Sequence, residues 1–406
     1  KAGYKMKYDA TRKTTVDAWR EFRNKCSKRA LVIMPVQTGE LREFAIKNNL
    51  FVLNLNKELG DAGAGQNISL LEEVLAWLEP NAPVYGWEQG VSEDQFVARV
   101  SKSGHPMIPC DWSYNHSLLS LLYEKGREQV LPRIFDPRSI DFKKKKNFVS
   151  FFLSDGDNIQ WMMQDFASRY YDVPEAEDVK MTFGLPVATL AMMAPVQFNN
   201  LMGLQKQNCS LMEMLGGGYY YVDTYSQDHN RKTNLRVAAK RLAVSMRQYQ
   251  IKLLGIMAMD VKSEAAKEAY QVYVDANDQL EGIVVLQYSP YAGGEGEVFW
   301  VTNKAGYDIP VITVKYSLWD RIHEREGSPD FIASKLKEEA QEESFSVVCV
   351  HAWSRFEGDT YGASAAKRCA ERLDDRFEAI NMQELVWRLR MSRRPEQTLD
   401  YLNKIY

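Results

Sequence analysis

Ser154-Asp155-Gly156-Asp157-Asn158 places two carboxylates and an amide in one short loop, directly after the apolar run Phe148–Leu153. Gly156 permits a sharp turn, so Asp155 and Asp157 can be aimed into one cavity, whereas Asp157 or Asn158 can instead cap the helix that follows. Paired carboxyl groups suit glycosidic cleavage: one protonates the leaving oxygen and the other attacks or activates water across an oxocarbenium-like transition state. Two carboxylates so close in sequence hold a substrate together more readily than they face each other across a bond. The expected partner therefore comes from another strand end: Asp223, Asp260 after the run 251–259, or Glu295 or Glu297 at the glycine-rich loop Ser289–Gly296. Each of these, taken singly, also reads as a solvated surface carboxylate. An EF-hand calcium loop is not spelled by this spacing.

Leu215-Gly216-Gly217-Gly218-Tyr219-Tyr220-Tyr221-Val222-Asp223-Thr224-Tyr225 combines close backbone approach with flat rings that carry hydroxyls. Sugars present apolar C–H faces ringed by hydroxyls, so such a stretch suits them; the alternative is a loop packed by its own tyrosines. His351 closes the apolar run 345–350, and Trp353 two positions on can share its face. A histidine hydrogen-bonded within a barrel mouth accounts for the same residues. Trp161, Trp319 and Asp320 are lesser candidates.

These residues must be positioned by a frame of alternating elements. Helical spacing at Thr15–Lys28, Glu40–Asn48, Ile68–Leu78 and Ser92–Ser101 alternates with the short apolar runs Ala30–Val36, Leu50–Leu55, Pro83–Gly86 and His105–Pro109, which predicts a small parallel-sheet α/β domain over 1–132. A proline- and lysine-bearing connection, 133–146, leads to strands near 148–153, 179–184, 209–215, 251–259, 282–288, 310–315, 345–351 and 376–380. Eight βα units over 147–406 predict a TIM-like barrel, regular or distorted, with chemistry where strands give way to loops. Asn381 followed by Glu384 predicts a capped helix near the end. Trp87, Asp111, Trp112, Tyr114 and Asn115 either reach over the barrel mouth or pack the face between the domains.

Composition narrows the function classes. The 406 residues carry 51 Lys plus Arg against 54 Asp plus Glu, so no basic footprint points to nucleic acid. No apolar run approaches the roughly 20 residues of a membrane span. The five cysteines form no CxxC pair and read as small buried hydrophobes, and the five histidines include no HxxH or HxxxH pair, so neither a metal nor a cofactor is expected. Phosphate-loop and dinucleotide fingerprints are not matched.

The pair of motifs resembles the bacterial family of GxGYxYxP putative glycoside hydrolases. Gly216, Gly218, Tyr219 and Tyr221 fill the signature, with Asp223 where the proline is expected. Ser154–Trp161, Ala194-Pro195, Val311–Trp319 and Val350-His351-Ala352-Trp353 resemble the same family, as do Tyr85-Gly86-Trp87 and Asp111–Ser117 in its preceding domain. The resemblance implies a carbohydrate substrate, and with the chain's start at Lys1 it implies an exported, periplasmic or secreted protein. The reading from these residues is a glycosidase with Asp155, Asp157, Asp260 and Glu295 as catalytic candidates, and Asn158, Trp161, Gly218, Tyr219, Tyr221, Asp223, His351 and Trp353 as substrate contacts. Two alternatives stand beside it: a carbohydrate-binding protein without turnover, and a metal-assisted hydrolase of the carbohydrate deacetylase kind.

Overall fold

In a computed structural model the described residues are 5–9, 11–34, 39–55, 68–87, 91–110, 113–122, 129–154, 159–215, 217–227 and 229–406, with the backbone alone at Ile405. The first part alternates α1 (Thr15–Phe22), β1 (Leu31–Ile33), α2 (Arg42–Asn48), β2 (Phe51–Leu53), α3 (Ile68–Trp77), β3 (Val84–Gly86), α4 (Glu93–Lys102) and β4 (Met107–Pro109), followed by the short α5 (His116–Leu119). Each strand falls inside the apolar run predicted for it. The four pair in parallel in the order β2-β1-β3-β4, leaving β4 at an edge. Helix α1 starts where Thr14 and Asp17 cap each other, Asp17 N donating to Thr14 Oγ1 at 3.1 Å and Thr14 N to Asp17 Oδ2 at 3.0 Å. Its Trp19 is 1% exposed and meets Phe51 and Trp77 edge-on.

The second part contains β5 (Asn147–Leu153), β6 (Thr182–Leu185), β7 (Ser210–Met214), β8 (Leu253–Ala258), β9 (Gly282–Gln287), β10 (Val298–Thr302), β11 (Asp308–Thr313), β12 (Tyr316–Leu318), β13 (Ser344–Val350) and β14 (Phe377–Ala379). Helices α6 (Ile159–Met162), α7 (Pro174–Asp178), α8 (Val187–Met193), α9 (Pro195–Leu204), α10 (Arg231–Gln248), α11 (Glu264–Ala276), α12 (Pro329–Glu338), α13 (Gly362–Glu371), α14 (Met382–Arg393) and α15 (Pro395–Ile405) lie between and after them. The sheet is parallel except where β10 runs against β11.

All eight strands expected here are present, but they form a curled, half-barrel mixed sheet rather than an eight-membered ring. β13 pairs with β5 along its whole length, which takes the place an eighth barrel strand needs. β14 is left to share the other edge of β5 with β6. The curl turns on one run: β11 pairs with β9, Val314 N donates to Val285 O, Lys315 N donates to Val347 O, and β12 pairs with β13.

Burial on both faces explains the continuous apolar strands. Phe148, Phe152, Met212, Met214, Met257, Val284 and Val347 face one cluster, and the alternating Val149, Phe151, Phe183, Ile256, Val285 and Val348 pack with the helices in another. Leu385, Val386 and Leu389 of α14 belong to the first cluster and close the amino-terminal ends of the strands, where Val386 lies against Gly282. The predicted cap is present, Glu384 N donating to Asn381 Oδ1 at 2.9 Å. Buried Glu281 anchors the same end, accepting from Trp387 Nε1 at 3.0 Å and Gln383 Nε2 at 2.9 Å and pairing with Lys252 at 3.2 Å. The lysine run is exposed but paired: Lys144 meets Glu378 at 2.5 Å and Lys145 meets Glu343 at 3.0 Å. All five cysteines are free, and four are buried. No helix among the described residues is long and apolar enough to cross a membrane.

Candidate functional site

With α14 at the amino-terminal ends, the strand ends carrying the predicted chemistry lie at the opposite mouth. After β7 the glycine–tyrosine loop crosses to the smaller sheet. Met107 N donates to Tyr219 O at 3.0 Å and Tyr219 N to Met107 O at 2.6 Å, so the loop adds itself to the free edge of β4. Gly218 makes this approach possible: its φ is +125°, and a Cβ there would lie 2.6 Å from Pro106 Cβ and 2.8 Å from Met107 O.

Side chains of the loop alternate. Tyr219 and Tyr221 turn toward the cluster that fills the curl, while Tyr220 turns to the helix layer and pairs its hydroxyl with that of Tyr273. Tyr219 is 2% exposed and donates to Glu93 Oε1 at 2.9 Å. Tyr221 is fully buried, its N donating to Ser101 Oγ at 3.1 Å, and Tyr225 donates to Asn81 Oδ1 at 2.7 Å and Gly104 O at 3.0 Å. Burial holds the hydroxyls of Tyr219, Tyr221 and Tyr225 far above the usual phenol range, so they are neutral donors. Gly216 lies outside the described residues.

From this loop a row of rings runs along the mouth. Tyr221 meets Tyr288 at 5.7 Å, Tyr288 meets Tyr291 at 6.1 Å, Tyr291 meets Trp319 at 5.0 Å, and Trp319 stacks on His351 at 4.4 Å and 9°. Beyond the turn, Trp161 meets Trp353 at 4.7 Å. Trp161 is 6% exposed and packs on Phe166 and Tyr170, whereas Trp353 is 47% exposed. His351 is fixed by a relay: Nδ1 lies 3.0 Å from Ser354 Oγ, which lies 3.2 Å from Asp320 Oδ1 and accepts from Asp320 N at 3.1 Å. Asp320 Oδ2 accepts from Arg355 N at 2.9 Å. A carboxylate can only accept, so the single hydroxyl proton goes to Asp320 and the Ser354 lone pair faces the ring. Ring Nδ1 then carries a proton, which it donates to Ser354 Oγ.

The candidate carboxylates divide into two groups. Ser154 N donates to Val350 O at 3.0 Å, so the loop bearing Asp155, Asp157 and Asn158 departs beside His351; those three residues lie outside the described ones. Asp223, Asp260, Glu295 and Glu297 gather on the β8–β9 side. Asp223 is 8% exposed and accepts from Met259 N at 3.1 Å and Asp260 N at 2.9 Å, which makes it a brace for the end of β8. Asp260 accepts from Lys262 N at 2.9 Å, and Lys262 Nζ reaches Glu297 at 3.0 Å and Glu295 at 3.7 Å, the latter with 81% of its side chain exposed.

Glu93, Tyr288, Tyr291 and Ser354 were missed by sequence reasoning. Glu93 and Ser354 carry no local signal; Tyr288 and Tyr291 sit at the glycine-rich loop that was noticed for Glu295 and Glu297. Of the residues expected between the parts, Trp87 packs against the interior cluster and Tyr114 is 61% exposed, donating to Glu40 Oε1 at 2.9 Å. Asp111 and Trp112 lie outside the described residues. Among the described residues no three His, Cys, Asp or Glu side chains gather as a metal requires.

A small parallel sheet docked on a curled, helix-flanked sheet with an aromatic mouth defines an α/β protein of the barrel-like kind. Comparison with known families places it further: residues 145–390 match the GxGYxYP putative glycoside hydrolase C-terminal domain, and residues 28–121 match the GxGYxYP third domain. The chain belongs to this family. The spelling of the signature sets the proline directly after the second tyrosine, one position earlier than the sequence reading had it, so Val222 rather than Asp223 stands in its place. A crystal structure of a putative hydrolase from Bacteroides thetaiotaomicron shares the fold at a TM-score of 0.77 and 18% identity, over 96% of this chain and 70% of that one. No curated protein matches the chain.

Proposed function

We propose that this chain cleaves glycosidic bonds at the carboxy-terminal mouth of the curled sheet by paired-carboxylate chemistry. The observation that carries the reading is the row of rings from Tyr221 through Tyr288, Tyr291 and Trp319 to His351, continuous along the strand ends. Family membership supports the substrate class. In this reading Asp155 or Asp157 supplies one carboxyl group from the loop after β5. Glu93 supplies the second, reaching the mouth from α4 on the other sheet and held by the Tyr219 hydroxyl. It sits in the first turn of α4, at the positive end of the helix dipole. Trp319, Trp353 and His351 form the sugar platform, and Trp161, Tyr219 and Tyr221 support it from beneath.

The test is mass-spectrometric detection of shortened glycans from a broad library, with wild type, Asp155→Asn, Asp157→Asn and Glu93→Gln, each checked for folding and assayed with and without chelator. Chelator-resistant release that collapses in folded Glu93→Gln and in one aspartate variant is the expected result. Chelator-sensitive loss of acetate would replace the reading with a metal-assisted deacetylase, and saturable sugar binding without any product would replace it with a binding protein.

A further inference from the structure

On the far side of the signature loop, between β3, β4 and helices α8 and α10, lies a cavity of about 440 Å³. That is within the range of small-molecule sites and holds about 15 non-hydrogen atoms at the ~30 Å³ a water takes in the liquid. Tyr219 and Tyr221 pack into the cluster that fills the curl, whereas Gly217, Tyr220 and Tyr225 line this cavity, so the loop is a wall between the two.

The lining surface is mostly apolar, with Ile108, Met192, Met193 and Leu242 among it. Two buried polar side chains nonetheless open on it without a partner among the described residues: His116, 3% exposed, at both ring nitrogens, and Thr189, 4% exposed, at Oγ1. Burial pushes His116 down to about 4, against the opposing pull of the Glu43 carboxylate and the Cys110 backbone. The ring is therefore neutral at pH 7, offering one donor and one acceptor. Among the described lining residues Arg241 bears the single formal charge. It is exposed at the rim, and its guanidinium makes one long contact among them, Nη1 to Asn81 O at 3.5 Å.

We propose that this cavity is a binding site for a small amphipathic carboxylate, its apolar body among the methionines and its anionic head on Arg241. The proposal does not rest on the glycosidase reading. An apolar body gains about 25 cal/mol per Å² of surface removed from water, and a guanidinium with idle donors accepts a carboxylate in bidentate fashion.

The test is isothermal titration calorimetry of the whole chain with decanoate, decanol and butyrate, on wild type, Arg241→Gln and Ala238→Trp, the last filling the cavity from α10. Saturable one-to-one binding of decanoate is expected, weakened at least tenfold in Arg241→Gln and abolished in Ala238→Trp, with decanol weaker and indifferent to Arg241. Lack of saturable decanoate binding would overturn the proposal, as would decanoate affinity unchanged in Arg241→Gln or butyrate binding as tightly as decanoate. Arg241 is exposed, so its variant keeps the test decisive even if Ala238→Trp fails to fold.

Discussion

Replacing Gly218 by alanine separates the backbone cost of the signature loop from its docking role, because Gly217 next to it provides the control. Both glycines have positive φ, +79° at Gly217 and +125° at Gly218. An added Cβ at 217 meets nothing within 4 Å, whereas at 218 it collides with Pro106 and with the Met107 carbonyl. Gly217→Ala should therefore cost the backbone term alone, about 1–2 kcal/mol. Gly218→Ala carries about 1–3 kcal/mol of strain, and separating Tyr219 from Met107 forfeits two backbone hydrogen bonds at about 1 kcal/mol each. The expected total is about 3–5 kcal/mol. Urea denaturation followed by circular dichroism gives the comparison, and at roughly 2 °C per kcal/mol the melting point of Gly218→Ala should fall by ~6–10 °C. Equal losses in the two variants, or a loss below about 1 kcal/mol at Gly218, would refute the view that this glycine exists for close approach to β4.

Glu213 is fully buried on β7, its Oε2 accepting from Ala188 N at 2.8 Å, and burial raises it to about 8. A carboxyl whose folded value is raised contributes stability below its ordinary value and loses it as pH rises toward 8. Wild type should thus fall behind Glu213→Gln by about 1.4 kcal/mol per pH unit across that window; parallel stability curves at pH 5 and pH 8 would sink this. Ser354→Ala removes the acceptor for His351 Nδ1 without opening a cavity, so nitrogen-15 shifts of the ring should move from the Nδ1–H form to a mixture, with Ser354→Thr restoring it. An unchanged tautomer in Ser354→Ala would show that the serine does not set it. Val222 N donates to Met257 O at 2.9 Å, a bond the signature proline cannot make. Val222→Pro should cost about 1–3 kcal/mol for the orphaned carbonyl, less about 0.4–1 kcal/mol from a stiffer unfolded chain, and a gain in denaturation midpoint would contradict the accounting.

The strands were legible because burial on both faces writes them as largely apolar runs, from Leu31–Ile33 to Ser344–Val350. Edge pairing was not legible, since a run records that it is buried but not which neighbour buries it. Nothing in Phe377–Ala379 says that β13 has already taken the edge of β5 that an eighth strand would use. Likewise nothing in the strand expected near 310–315 says that a second one, Tyr316–Leu318, follows it directly and serves a different neighbour; only the hydrogen bonds of Val314 and Lys315 divide the two.

Part of the candidate site was visible because its residues are chemically rare together: glycines beside tyrosines, a histidine two positions from a tryptophan. Glu93 was invisible for the opposite reason, since an acidic residue in the first turn of a helix is what the helix dipole favours anywhere. Tyr219, Tyr220 and Tyr221 looked alike as sugar platforms, but pairing with β4 imposes the strand alternation and sends neighbouring rings into different spaces. The signature therefore marks a partition: its glycine admits β4, its outer tyrosines brace Glu93 and the aromatic mouth, and its middle tyrosine walls the apolar cavity. A ligand on either side leans on the same backbone, so a shift at Gly218 should disturb both spaces at once, whereas a change at Arg241 should leave the mouth untouched.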